Sequence, residues 1–155
     1  MPQLSRQCDV TVALEVLPVN RTYSELISIP TYEERFKYLQ LHGAVGKETF
    51  GFDRYLNQVL YTSTKWRRVR DKIIVRDNGN DLAMDGYPIG GIIYVHHMDP
   101  IEVKDLLNDE EWIFDPEKLI SVSYNTHLAI HYGDENLLVL PPKVRTANDT
   151  VPWRH

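Results

Sequence analysis

One cysteine, Cys8, in 155 residues excludes an internal disulfide framework and any cysteine-built zinc ribbon. No apolar run approaches the roughly 20 residues that cross a bilayer. The opening segment MPQLSRQCDV lacks the continuous apolar core of a secretion signal, so an intracellular, cytoplasmic protein is expected. Positive charge is also in short supply. The formal net charge of −5 speaks against nucleic acid as a partner of the whole surface, since phosphate contacts favour a basic protein. There is no internal repeat and no clear domain boundary. What is present is ordinary for a globular protein: 43% hydrophobic and 25% charged residues, in a length suited to one domain with its own core.

The charge is unevenly spread. Lys65, Arg67, Arg68, Arg70, Lys72 and Arg76 crowd into one stretch, while acids gather at Glu102, Asp105 and Asp109-Glu110-Glu111. Alternation of Val10, Val12, Leu14 and Val16 predicts a strand over residues 9–16. A helix is expected over 31–41, with Thr31 and Glu34 as a capping box and Tyr32, Phe36 and Leu39 as its stripe. A second, over 53–61, should bury Phe52, Tyr55, Leu56, Val59 and Leu60. The third, over 65–76, has Trp66, Val69 and Ile73 on its apolar side and closes at Asn78-Gly79. Lys65, Arg68 and Lys72 line its opposite side with Arg67 at the edge, which is either a solvated face or a DNA-backbone contact.

Residues 82–93 read as a turn-rich ribbon and 92–95 as a strand. A short acidic helix follows over 103–107, then a strand over 119–123 and a helix over 125–132 stopped by Gly133. Residues 134–155 read as an extended tail.

Four of the six histidines fall between Ile92 and Gly133; His42 and His155 lie apart and read as surface residues. On a helix, His127 and His131 share one face and can offer two imidazoles to one ion. In a strand, His96 and His97 point to opposite faces and cannot both bind that ion. A strand ending near Val95-His96 lets one histidine complete a three-histidine site and leaves the other free as a general base. Three protein ligands with open positions is the pattern of a catalytic metal site. A lone H-x3-H pair is weak evidence; the order strand-HH, loop, strand, helix-HxxxH is far more specific.

That order resembles the HNH (His-Asn-His) endonuclease motif on a ββα-metal fold. HHMDPI stands for the doublet, DPEKLISVS for the second strand and YNTHLAIHYG for the helix, together about a quarter of the chain. The upstream YTSTKWRRVRDKIIVRDNG is similar to the basic helix preceding the motif in small bacteriophage-encoded HNH proteins. The resemblance implies an α+β protein: an HNH core with its basic helix over 64–133, and N-terminal helices plus a short strand over 1–63. It implies that His96, His127 and His131 hold one divalent ion, that His97 is the general base, and that DNA is the substrate. Three imidazoles suit Zn²⁺ or Ni²⁺ by ligand softness, whereas Mg²⁺ or Mn²⁺ could serve turnover. Lys65, Arg67, Arg68 and Lys72 are then candidates for backbone contacts.

Two departures carry weight. The motif's Asn, which tethers the loop after the base histidine, is replaced by Lys118, nine residues before His127. A protonated lysine cannot accept a hydrogen bond or bind a metal, though it could contact phosphate. The family's structural cysteine pairs are missing, so Trp66, Tyr94, Trp112 and Leu119 must hold the fold by packing. The competing reading is a degenerate HNH fold serving as a metal-stabilised binding module, for example for phage terminase proteins.

Overall fold

The computed structural model describes residues 20–41, 52–84 and 87–138, with backbone only at 52 and 53. The strand expected over 9–16, His42, His155 and residues 139–155 lie outside the described residues. Four of the helices open at a serine or threonine whose side chain caps them. Helix α1 (Tyr23–Ser28), which periodicity did not reveal, begins where Thr22 Oγ1 accepts from the Glu25 amide at 3.3 Å. Helix α2 (Tyr32–Leu39) begins at Thr31, which accepts from the Glu34 amide at 3.4 Å. Helix α3 (Phe52–Thr62) runs into α4 (Thr64–Arg76) through Ser63, whose Oγ accepts from the Trp66 amide at 3.1 Å. Asn78 and Gly79, at φ 54° and 67°, end α4 in the left-handed region.

The turn-rich stretch becomes a two-residue antiparallel ribbon, β1 (Asn80–Asp81) with β2 (Tyr87–Pro88). Strand β3 (Tyr94–His97) follows, then α5 (Val103–Leu107), β4 (Leu119–Val122) and α6 (Tyr124–Tyr132). Ser123 caps α6, and Gly133 at φ 65° stops it. The molecule is thus α+β, with helices around two small antiparallel sheets.

The β3–β4 pair carries the core. Its register sets Tyr94 opposite Val122, Val95 opposite Ser121, His96 opposite Ile120 and His97 opposite Leu119. Because side chains alternate, Ile120 and Val122 join Ala129 and Ile130 of α6 on one face, with Leu26, Phe36 and Leu39 beyond. On the other face Leu119 packs with Trp66 and Ile73 of α4.

Three expectations change. The strand lies at Tyr94–His97 rather than 92–95, and Ile92 is 74% exposed. Tyr55 and Val59 of α3 are exposed and only part of its apolar face is covered. The expected tail starts later, because Asp134 caps a 3-10 turn at Glu135–Leu137 that returns Leu138 to the core at 7% exposure. Trp66 and Leu119 are buried as expected, while Tyr94 and Trp112 are half-buried.

Candidate metal centre

Strand alternation decides where the histidine doublet goes. His96 faces α6, where His127 and His131 lie one turn apart on the helix side turned towards β3. Its ring sits 5.4 Å from that of His127 and 5.1 Å from that of His131, centroid to centroid. One nitrogen from each ring lies within 4.8 Å of the other two, a cluster that could hold a metal ion. Nitrogens around a tetrahedral zinc at about 2.0–2.1 Å stand roughly 3.3 Å apart, so small ring rotations complete the closure. His127 Nε2 and His131 Nε2 are already 3.0 Å apart.

The two α6 nitrogens lie within hydrogen-bond distance of each other, and the polar atom of His96 is left over. His96 is 3% exposed and its Nε2 is buried with no hydrogen-bond partner. Such an atom costs roughly 1–3 kcal/mol when left unmade, which a bound cation would offset. All three rings are held neutral. Burial pushes His96 well below the usual histidine range, and the neighbouring His131 and His127 add to it. Burial, then His131, lowers His127 to about 4, and burial lowers His131 as well. Neutral imidazole is the form that ligates metal. Tyr94 stacks on the His127 ring at 5.3 Å and 25° between planes, fixing its orientation.

His97 takes the opposite face. The strand runs through it rather than ending before it, so its ring is not beside the triad's rings but against Trp66 of α4, stacked at 5.1 Å and 20°. Trp112 closes on it edge-on at 6.3 Å, and the side chain is 7% exposed. Nε2 lies 2.8 Å from the Ile113 carbonyl. A carbonyl only accepts, so Nε2 carries the proton and Nδ1 carries the lone pair. Burial lowers His97 to about 4, opposed by the Ile113 hydrogen bond.

The basic residues divide. Lys65, Arg67, Arg68 and Lys72 are exposed on α4, with Lys65 Nζ also lying 4.0 Å above the Phe114 ring. No carboxylate pairs with Arg67, Arg68 or Lys72 among the described residues. Lys118, the other candidate for a phosphate contact, sits differently. Its side chain is 12% exposed, and Nζ donates to the Arg21 carbonyl at 2.9 Å, to Asp99 Oδ2 at 3.1 Å and to Asn20 Oδ1. All three ammonium protons are engaged within the protein.

Sequence reasoning missed the residues that hold the centre in place. Arg21 and Asp99, 78 positions apart, meet at 3.3 Å and share Lys118, tying the loop after His97 to the first described residues. Asp77 accepts from the Ser121 amide at 2.7 Å. Asp81, wholly buried, accepts from the Ser123 amide at 3.0 Å, Thr126 Oγ1 at 2.6 Å and the Ala83 amide at 3.1 Å. Burial raises Asp81 above the usual carboxylate range, and these three contacts oppose the rise. The available signal was two aspartates in the polar turn after α4, where an unpaired acid would have been expected to stay in water.

Among the described residues no helix is long and apolar enough to cross a membrane. Comparison with family models, with curated proteins and with solved structures gave no match.

Proposed function

We propose that this chain is a metal-dependent HNH endonuclease hydrolysing DNA phosphodiester bonds, with β3, β4 and α6 as its ββα-metal core. The observation that carries the reading is the convergence of three neutral imidazoles around a buried, unpartnered His96 Nε2. A divalent ion held there, whether Zn²⁺, Ni²⁺, Mg²⁺ or Mn²⁺, would supply Lewis-acid chemistry to the scissile phosphate. His96, His127 and His131 would be the residues that hold it.

His97 is the candidate base. Its Nε2–H is fixed on the Ile113 carbonyl, so Nδ1 is the atom that takes a proton from water. Burial keeps that ring neutral through the physiological range and makes it a weak base. Lys118 stands where the family has Asn and does related work from the donor side. It grips Asp99, two residues beyond His97, while the Lys118 carbonyl accepts from the Met98 amide at 3.0 Å. Exposed Arg67, Arg68 and Lys72 on α4 offer charge for the DNA backbone.

A second reading has its own support. His97 is enclosed on the face opposite the triad and stacked under Trp66. That placement suits a metal-stabilised binding module, docking to a partner such as a phage terminase protein. Supercoiled plasmid incubated with the protein and each of Mg²⁺, Mn²⁺, Ni²⁺ and Zn²⁺ separates the two. The endonuclease reading expects nicking with at least one ion. His97→Ala should then lower the rate about 10²–10⁴-fold while zinc uptake persists. Intact plasmid under every ion leaves the module.

A further inference from the structure

Beside the triad, the loop between β2 and β3 and the first turn of α6 enclose a groove of about 440 Å³ that none of the roles above uses. Its volume lies within the roughly 300–1,000 Å³ typical of small-ligand sites. The groove adjoins the triad through one shared side chain. Tyr94 stacks on His127 and, 5.7 Å away, meets Tyr124, a residue 54% exposed. A third tyrosine, Tyr87, lines the groove as well.

The chemistry of the walls narrows the occupant. Among the described residues that line the groove there is no lysine, arginine, aspartate or glutamate, so these walls favour neither a phosphate nor a charged peptide. Tyrosine faces with hydrogen-bonding groups beside them favour a flat, polar-edged heteroaromatic ring, stacked rather than ion-paired. The Asn125 side chain is exposed and has no hydrogen-bond partner among the described residues, and its amide can donate to and accept from a base edge. Gly90 and Gly91 form an open stretch of wall. A Cβ built on either meets nothing within 4 Å, so internal packing does not demand glycine there. What glycine does leave is room for close approach of a ligand. Ile92 stands exposed at the rim, where an apolar side chain can wedge between stacked bases.

We propose that this groove receives one unpaired nucleobase beside the phosphate to be cut, so that the chain acts on single-stranded or locally unpaired nucleic acid. As a statement about substrate this rests on the endonuclease reading; as a statement about binding it stands alone. Nothing among the described lining residues selects the sugar, so the shared ligand chemistry is the exposed base of DNA or RNA.

Fluorescence anisotropy in EDTA tests it without catalysis. The probes are labelled single-stranded DNA, single-stranded RNA of the same sequence, the perfect DNA duplex and a duplex with a central bulge. The wild type should bind single strands and the bulged duplex more tightly than the perfect duplex. Tyr124→Ala, at an exposed position, and Gly91→Val, which adds a side chain at the groove wall without touching the core, should each weaken single-strand binding by about 5- to 100-fold. Perfect-duplex binding and zinc uptake by the triad should stay unchanged. Equal affinity for duplex and single strand, or variants that bind single strands like the wild type, would overturn the proposal. Preference for DNA or RNA identifies the source of the base. Tyr124-dependent binding without nicking under any metal would keep this site and remove the endonuclease. Nicking with no preference for unpaired bases would do the reverse.

Discussion

His96→Leu should stabilise the metal-free protein while abolishing its response to zinc. In the unligated state His96 Nε2 is buried without a partner, which costs roughly 1–3 kcal/mol. Leucine removes that polar atom and keeps an apolar side chain against Ile120, the residue opposite on β4. Imperfect shape gives back up to about 1.5 kcal/mol. A net gain of about 1 kcal/mol remains, or roughly 2–4 °C in Tm for a chain of this size. Zinc at about a hundred times its Kd stabilises the wild type by about 2.7 kcal/mol, which corresponds to roughly 5–11 °C. The variant should gain nothing. Scanning calorimetry of both proteins, in EDTA and with zinc, would therefore show the order of melting temperatures reverse between conditions. A metal-free variant that melts several degrees lower, yet still rises with zinc like the wild type, would refute both the cost assigned to the orphan nitrogen and the triad as the binding site.

Acid should destabilise the fold through its buried histidines. His97 is held near 4 in the folded state against about 6.5 when unfolded, so the unfolded chain binds the proton first as pH falls. Its contribution is fully present above about pH 6.5 and is lost towards pH 4, amounting to about 2–3 kcal/mol by pH 4.5. Urea melts of wild type and His97→Phe at pH 7 and pH 4.5 should show a smaller acid loss in the variant. Asp81→Asn replaces one accepting oxygen by a donor among three donors and should cost about 2–4 kcal/mol in a denaturant melt, since it loosens the start of α6. Lys118→Met leaves Asp99 with Arg21 alone and should cost about 2 kcal/mol while duplex DNA binding is unchanged. A fall in DNA affinity without loss of stability would return Lys118 to the phosphate-contacting set.

The chain's local geometry was legible in its residues. Thr31 and Ser63 stand at helix starts because a side-chain oxygen near a free backbone amide needs no distant partner, whereas Ser123, expected within the strand, caps α6 instead. His127 and His131 share a helical face because the helix repeat fixes it, and His96 and His97 part company because strand side chains alternate. Which face each of the doublet would meet was another matter. The register of β3 on β4 sends His96 to α6 and His97 to Trp66, and one residue of slip would exchange them. The same holds for Leu138, returned to the core past the end of α6, and for Arg21, Asp99 and Lys118, which find each other across most of the described chain. Spacing along the backbone specifies a periodicity. Partners far apart in sequence are chosen by how faces pack and by which buried polar groups must be satisfied, and those conditions exist only once the chain has folded.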